Sequence, residues 1–187
     1  PFLADPDVVN KAEAGKASTI RPCVGCNAKC LDMAMVSKPI GCIGYYECNR
    51  EEELEDENGL MPTEKKSEHP EKILVIGAGP SGMEFARVAA LRGHKVTIWE
   101  KRNRTIGLSL YAATPPRRYD IRYFGQWLER TCRELGVEII LNKEATAEDI
   151  IAASKDYDRV VLACGSKASI PPIPRDPSVP IVHAWDV

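Results

Sequence analysis

Apolar residues in the second half of the chain follow two alternating patterns. Short continuous apolar runs, typical of strands buried on both faces, occupy Ile73–Ile76, Val96–Trp99, Val137–Leu141 and Arg159–Ala163. Helical spacing between and after them predicts helices over Ser81–Arg92, Asp120–Leu135 and Ala147–Ser154. Pro171–Pro180 is predicted to be loop. Strands alternating with helices predict an α/β fold, a Rossmann-like parallel sheet covered by helices on both faces.

Composition divides the chain into three parts. Residues 1–50 are rich in Cys, Pro and Gly with weak periodicity, which predicts a small irregular segment. Residues 51–70 are charged and interrupted by Pro, so we expect an exposed linker whose acidic run Glu51–Glu57 is a solvated loop. Residues 71–187 are predicted to form an incomplete Rossmann-like domain. Because the opening Pro1–Pro6 has neither a Met nor a signal pattern, we expect a piece of a longer chain.

The overall charge and the cysteine distribution exclude several classes of function. The net charge is -2, which does not favour a nucleic-acid partner, and no apolar run approaches the roughly 20 residues of a membrane span. Of the 7 cysteines, five lie between Cys23 and Cys48. This clustering favours a metal site in a reducing compartment over a disulfide scaffold, so a cytoplasmic location is predicted. The three His residues stand apart and no acid–base pair is evident, so no catalytic residue is predicted.

The spacing of four cysteines predicts an iron–sulfur cluster. Cys23, Cys26, Cys30 and Cys42 follow the pattern C-x2-C-x3-C-x11-C, a triplet plus one remote ligand. Four thiolates in that arrangement commonly hold a cluster, whereas structural zinc sites tend to use two separated pairs. Spacing therefore favours a 4Fe-4S cluster and leaves zinc as the alternative. Cys48 could compete as fourth ligand, but we interpret it as an ordinary semi-buried thiol, and Cys132 and Cys164 as packing residues.

A glycine motif between the first predicted strand and helix indicates a dinucleotide site. Gly77, Gly79 and Gly82 form G-x-G-x-x-G, with Pro80 and Ser81 between the last two glycines. The first glycine allows the tight turn, the second lets the backbone approach a pyrophosphate, and the third lets the helix lie close to the strand. The N–H groups and the dipole of the helix N-terminus favour the phosphates.

An acidic residue ends the second predicted strand. Glu100 stands where a carboxylate can accept hydrogen bonds from the hydroxyls of an adenosine ribose. Its negative charge would repel a 2′-phosphate, so NADP is disfavoured at this site. The motif therefore predicts FAD or ADP.

The two motifs in this order resemble the iron–sulfur flavoenzymes built on an old-yellow-enzyme barrel. That family includes 2,4-dienoyl-CoA reductase, enoate reductases and the trimethylamine and dimethylamine dehydrogenases. Arg21–Asn27 resembles its cluster motif, with the dienoyl-CoA reductase spacing, and Lys72–Glu100 resembles its FAD-binding start. Val161–Gly165 resembles a strand ending in Ala-Thr-Gly, and Val182–Val187 resembles the lead-in to its NAD(P)H domain.

The resemblance implies an electron relay in a larger protein. NAD(P)H reduces FAD, the cluster passes single electrons, and FMN on a barrel reduces an enoate or dienoyl thioester; in the amine dehydrogenases electrons leave the FMN through the cluster, and ADP replaces FAD. The barrel and the NAD(P)H domain would be partners in the same parent chain or a partner subunit, within a larger oligomer. The resemblance also adds four cofactor-binding candidates, namely Lys101, Gly107, Ala163 and Gly165.

Three departures from the family pattern bear on these expectations. Tyr45-Tyr46 stands where the family has Asn-Pro, and Gly107-Leu108-Ser109 where it has Gly-Gly-Gln. The third is Ala163-Cys164-Gly165 in place of Ala-Thr-Gly. Two alternatives to a relay stay open: an ADP-binding module with a structural cysteine site and no redox role, and an interaction subunit that only docks on an FMN protein.

Overall fold

Four parallel strands form the centre of the molecule. The computed structural model describes residues 2–167, 169, 172, 174, 178–180 and 182. The strands are β1 (Lys72–Ile76), β2 (Lys95–Trp99), β3 (Glu138–Ile140) and β4 (Arg159–Leu162). They are arranged in the order β3-β2-β1-β4, with Ile76 opposite Trp99 on β2 and Leu162 on β4. The predicted α/β fold is confirmed.

Apolar side chains on both faces of the sheet explain why the strands are continuous apolar runs. On one face, Ile73, Val75 and Ile98 pack with Met83 and Trp127 in the larger core. The opposite face is smaller, and a core of Leu74, Ile76 and Trp99 is covered by side chains that include Ile150 and Tyr157. A parallel sheet is stable only when both faces are covered, which these two cores achieve.

The three longer helices begin and end within about a residue of their predicted limits. They are α4 (Pro80–Leu91), α6 (Tyr119–Glu134) and α7 (Ala147–Ala153). Helices α4 and α6 cover the larger core, and α7 covers the smaller one. Thr146 begins α7 with a capping box, because its hydroxyl accepts the Asp149 N–H while the Asp149 carboxylate accepts the Thr146 N–H.

Short helices outside the core were not predicted. They are α1 (Val8–Glu13), a 3-10 turn (Ala17–Thr19), α2 (Leu31–Met35), α3 (Glu51–Leu54) and α5 (Ser109–Ala112). Each has too few residues to show a helical period in the sequence. Helix α3 lies within the acidic run that was expected to be a loop, and there the prediction was wrong. Its three glutamates occupy the first turn, where the helix dipole favours negative charge.

Residues 51–70 are tied both to residues 1–50, called the cysteine segment below, and to the sheet. The Glu47 carboxylate accepts hydrogen bonds from the N–H and hydroxyl of Thr63, at 2.9 and 2.8 Å. Further on, the Ser67 N–H donates to the carbonyl of Arg92 at the end of α4, at 2.8 Å. The proposed boundaries at residues 50 and 70 stay predictions.

Two further predictions concern the C-terminal part of the chain. The predicted loop at Pro171–Pro180 and the resemblance at Val182–Val187 lie largely outside the described residues. Among the helices that the structure describes, none combines the length and the apolar character that crossing a bilayer requires.

Candidate nucleotide and metal sites

The turn after β1 leaves no room for a side chain at its first glycine. Gly77 has a φ of +109°, and a Cβ placed there would lie 2.4 Å from the carbonyl oxygen of Ala163. The Gly77 N–H donates to the carbonyl of Trp99, and the Ala163 N–H donates to that of Ile76, both at 2.8 Å. The turn is therefore fixed between the ends of β2 and β4.

The third glycine lets helix α4 approach the strand closely. A Cβ on Gly82 would lie 2.1 Å from the carbonyl oxygen of Gly77 and 3.1 Å from the Cβ of Ala163. Ala163 therefore contacts the turn at two glycines, and its small side chain is what the space allows. These contacts are those expected of a dinucleotide-binding turn.

Open space lies beside the second glycine. A Cβ placed on Gly79 would meet no atom within 4 Å. Gly79 is the N-cap of α4, and Pro80 and Ser81 are its first two residues. The first N–H groups of a helix lack intrahelical partners, and Pro at the first position has none to leave unpaired. Backbone donors beside an unfilled space are the geometry that a diphosphate requires.

Glu100 ties this turn to the sheet. Its carboxylate accepts a hydrogen bond from the Ala78 N–H at 2.8 Å and another from the Arg102 N–H at 2.9 Å. The residue is 6% exposed. Each carboxylate oxygen retains capacity for a further hydrogen bond, so a ribose hydroxyl remains compatible with this geometry.

The other nucleotide candidates fall into two groups. Gly107, with a φ of +55°, lies against the turn, because its Cβ would be 3.2 Å from the Cα of Gly79. Lys101 is exposed and its ammonium lies 3.9 Å from the Glu144 carboxylate. Gly165 is exposed at a φ of +75° with no heavy atom within 4 Å of a Cβ there. The structure thus brings Gly107 to the turn and leaves Lys101 and Gly165 at the surface.

The four predicted metal ligands line one cavity. This cavity of about 240 Å³ is bordered by Cys23, Cys26, Cys30 and Cys42. Apolar side chains complete much of its wall, among them Phe2, Leu3, Val24 and Ile43. The Gly41 N–H donates to the carbonyl of Lys29 at 3.0 Å, which joins the loop of the last cysteine to that of the first three.

Backbone geometry shapes the cysteine loops. Gly25 and Asn27 have φ values of +63° and +57°, which turn the chain sharply between the first three cysteines. The Gly25 N–H lies 3.4 Å from the Sγ of Cys23 and donates to it. Across the described residues, no three His, Cys, Asp or Glu side chains converge closely enough to ligate one metal ion. The four cysteines thus share one cavity wall without meeting around a single ion.

The remaining cysteines have distinct environments. Cys48 is buried, and this burial is the main cause that raises the pKa of its thiol. Electrostatic repulsion from the nearby Cys42 raises that pKa further. Burial also raises the pKa of Cys132 to about 12, and its thiol donates to the carbonyl of Met83. Both are therefore protonated at neutral pH. Cys164 is exposed, so it is not the packing residue that was expected.

Contacts between the cysteine segment and α6 were missed in the sequence. The indole N–H of Trp127 donates to the carbonyl of Thr19 at 3.1 Å, and Arg130 donates to that of Ser18. A Cβ on Gly44 would lie 3.1 Å from the Phe124 ring. The helical spacing places Trp127 and Phe124 on the buried face of α6, but no pattern indicates which segment they contact.

A family comparison agrees with this geometry. Residues 34–154 match the family model described as pyridine nucleotide-disulphide oxidoreductase. The chain belongs to this oxidoreductase family. The resemblance to iron–sulfur flavoenzymes of the old-yellow-enzyme-like family is also confirmed.

Individual relatives of this oxidoreductase extend the comparison. The chain is 48% identical to a metal reductase of Desulforamulus reducens over 188 residues, which is 100% of this chain and 27% of that protein. It is 37% identical to a bilirubin reductase of Mediterraneibacter gnavus, covering 100% of this chain and 28% of the relative. A solved 2-naphthoyl-CoA reductase complex shares 34% identity with a TM-score of 0.82, over 92% of this chain and 25% of that one.

These matches agree with the oxidoreductase family. The relatives are named as reductases and dehydrogenases, among them a cinnamate reductase and a dimethylamine dehydrogenase. The flavin-binding domain supports FAD. The chain spans about a quarter of the length of these relatives.

Proposed function

We propose that this chain relays electrons between an FAD held at the Gly77–Gly82 turn and an FMN carried on another part of the protein. The relay would pass through a 4Fe-4S cluster ligated by Cys23, Cys26, Cys30 and Cys42. The observation that carries the proposal is that these four cysteines line one apolar cavity, in a segment that contacts α6. Helix α6 in turn packs against α4, the helix that begins at the glycine turn.

The cysteine cavity fits a cluster better than a single ion. Zinc holds its thiolates at about 2.3 Å, so four zinc ligands converge on one point. Here the four cysteines line part of a cavity of about 240 Å³ whose wall is largely apolar, which leaves room for a polyatomic group. The Gly25 N–H donates to the Cys23 sulfur, a contact that stabilises negative charge on a thiolate. When bound, such a cluster accepts and returns one electron at a time.

The glycine turn fits a diphosphate. The Glu100 carboxylate can accept hydrogen bonds from the ribose hydroxyls of an adenosine and would repel a 2′-phosphate on that ribose. Pro80 and Ser81 begin a helix whose first N–H groups lack intrahelical partners, next to the open space beside Gly79. Gly107 lies against that turn beside Gly79, and Ala163 contacts both Gly77 and Gly82. Lys101 and Gly165 are exposed candidates for contacts at the rim of the site.

The whole protein is proposed to be an NAD(P)H-dependent reductase. An FMN barrel and an NAD(P)H domain would complete it, as the short coverage of the relatives supports. An enoate or dienoyl thioester is the proposed substrate, because relatives include a cinnamate reductase and a 2-naphthoyl-CoA reductase. The second candidate is electron flow in the opposite direction, from the FMN to the cluster as in the amine dehydrogenases, because a dimethylamine dehydrogenase of Hyphomicrobium is 32% identical. A cytoplasmic location and a larger oligomer belong to the same proposal.

Anaerobic purification tests the cluster directly. We expect a brown protein with about four iron atoms per chain, acid-labile sulfide and a paramagnetic signal after reduction by dithionite. Cys30→Ser should abolish the iron, the sulfide and the signal. Cys164→Ser is the matched control and should keep all three, because Cys164 lies outside the cavity wall. A colourless wild-type protein loaded with zinc would instead support a structural site without a redox role.

A further inference from the structure

One β-branched residue near the glycine turn has a backbone conformation that its side chain disfavours. Ile106 lies in the loop between β2 and α5, and its φ is +74°, in the left-handed region. A branched Cβ crowds the backbone in that region, so the conformation is rare for isoleucine and costs conformational energy. Ile106 is nevertheless buried in the larger core, with 6% of its surface exposed. Its surroundings therefore hold it in place, a situation that is common beside ligand sites.

A glycine in the middle of α6 makes room for the Ile106 side chain. A Cβ placed on Gly125 would lie 2.8, 2.7 and 2.6 Å from Cγ1, Cγ2 and Cδ1 of Ile106. Alanine stabilises a helix interior more than glycine does, so this contact explains why glycine stands there. The loop is also hydrogen-bonded to α6, because the Thr105 hydroxyl donates to the Glu129 carboxylate at 2.6 Å. One packing contact and one hydrogen bond thus hold the loop against α6.

The same loop contacts the glycine turn. The Ile106 N–H donates to the carbonyl of Ala78 at 2.8 Å. The next residue, Gly107, also has a positive φ, and a Cβ on it would lie 3.2 Å from the Cα of Gly79. Gly79 is the residue whose backbone a pyrophosphate approaches in a dinucleotide-binding turn. Ile106 therefore links α6 to the backbone of the nucleotide site and contacts both.

We propose that Ile106, packed against Gly125 of α6, is a positioning residue that holds the backbone of Ala78 and Gly79 in the conformation that binds the cofactor's diphosphate. The inference rests on the proposed function, since it requires a nucleotide at the glycine turn. The side chain of Ile106 packs against α6, and its N–H reaches the turn. A turn that is already held in its binding conformation loses less entropy when the ligand binds, so its affinity is higher.

Titration calorimetry of the full chain with ADP tests this role, because FAD contains the same diphosphate. We expect Ile106→Ala to weaken ADP binding by about tenfold, because the shortened side chain no longer fixes the turn. Ile106→Val keeps both Cγ atoms beside Gly125 and should bind ADP about as tightly as the wild type. Val137→Ala is the matched control. Val137 is 5% exposed in the same core but lies directly before β3, so its truncation should lower stability without lowering ADP affinity.

A second pair of variants tests the contact between the two residues. Gly125→Ala places a methyl group where the Ile106 side chain lies, and it should weaken ADP binding about as much as Ile106→Ala does. In the double variant that combines Gly125→Ala with Ile106→Ala, the added methyl group occupies the space that the truncation leaves. ADP should therefore bind more tightly to the double variant than to Gly125→Ala alone. If the two residues acted on ADP binding independently, the two losses would add.

The outcomes separate this inference from the proposed function. If the wild type binds ADP, and Ile106→Ala and Gly125→Ala both bind it as tightly as Val137→Ala does, the positioning role is wrong. If Ile106→Ala does not fold, Gly125→Ala decides, and wild-type affinity in that variant would overturn the role. If the wild type itself binds neither ADP nor FAD, the proposed nucleotide site fails before any variant is compared.

Discussion

The cysteine segment and the nucleotide domain are stabilised in different ways. From β1 to β3 the buried side chains are mostly apolar and form two continuous cores around the sheet. In the described part of residues 1–50, the buried side chains are Ala4, Asp5, Glu47 and Cys48, of which two are carboxylates. The first region is held by packing, and the second by directional polar contacts and by its attachment to α6.

This difference shows where a cofactor matters for stability. A segment with few buried apolar side chains gains little from the hydrophobic effect. Polar contacts such as those of Asp5 and Glu47 fix the backbone, but each adds only about 1 kcal/mol net. A metal centre held by four cysteines would supply the remaining cross-links, because metal binding and folding are coupled in small sites of this kind. The nucleotide domain needs no such help to form its sheet.

Overpacking the glycine turn is the strongest way to break the nucleotide domain while sparing the cysteine segment. A Cβ on Gly82 would lie 2.1 Å from a backbone oxygen of Gly77. Neither backbone atom can move without displacing α4 from β1, so we expect Gly82→Ala to lower the free energy of unfolding by about 3 kcal/mol or more. Urea denaturation followed by circular dichroism measures the change.

Gly79→Ala is the matched control for that variant. The space beside Gly79 is open, so the methyl group should change stability by no more than about 1 kcal/mol. It should nevertheless weaken FAD or ADP binding, measured by titration calorimetry, because it fills the space where a diphosphate would approach. Equal stability losses in the two variants would contradict the packing argument.

Sequence reasoning succeeded where regular periodicity and a dense core coincide. The strands and the long helices of the nucleotide domain were predicted because alternation of apolar runs and helical faces reports burial directly. The conformational demands of Gly77 and Gly82 were also predictable, since only glycine tolerates such close backbone approach. For the cysteine spacing, the sequence indicated a shared site, and the structure places all four residues around one cavity.

What the sequence could not provide is the contact between the two regions. The stacking of Arg21 on Trp127 joins residues more than a hundred positions apart, and no local pattern encodes such a pairing. Arg21 was noticed only as the first residue of the cluster motif. The same holds for Glu47 and Thr63, whose hydrogen bonds tie the linker to the cysteine segment, although composition indicated only an exposed loop there.

A smaller change tests the attachment of the cysteine segment to α6. Trp127→Phe keeps an aromatic ring for stacking but removes the indole N–H that donates to the Thr19 carbonyl. We expect a stability loss of about 2 kcal/mol, from the lost hydrogen bond and the smaller ring in the larger core, with the largest rise in amide hydrogen exchange in the cysteine segment. Tyr123→Phe on the same helix is the control, because Tyr123 is exposed and should leave exchange unchanged. Faster exchange spread evenly over the sheet would show that the two regions are not independent.

The smallest expected effect concerns pH and the polar contacts of Asp5. Burial raises the pKa of this carboxyl, but the hydrogen bonds from Lys11 and from the backbone of Arg21 and Asp7 outweigh that effect and leave the pKa below its usual value. A lowered pKa in the folded state means that the contribution of Asp5 to stability is fully present above the unfolded pKa of about 3.9. That contribution is lost as the pH falls through the folded value.

Asp5→Asn should therefore destabilise the cysteine segment at pH 7, and the difference from wild type should shrink as the medium becomes more acidic than pH 4. Hydrogen exchange of residues 2–50 at a series of pH values, corrected for the intrinsic exchange rate, measures this difference. Asp32→Asn is the control, because Asp32 is exposed on α2 and its loss should have little effect at any pH. A difference that stays constant from pH 7 to pH 3 would mean that the charge of Asp5 does not contribute. Shape and hydrogen bonding alone, which an amide partly preserves, would then hold this end of the cysteine segment.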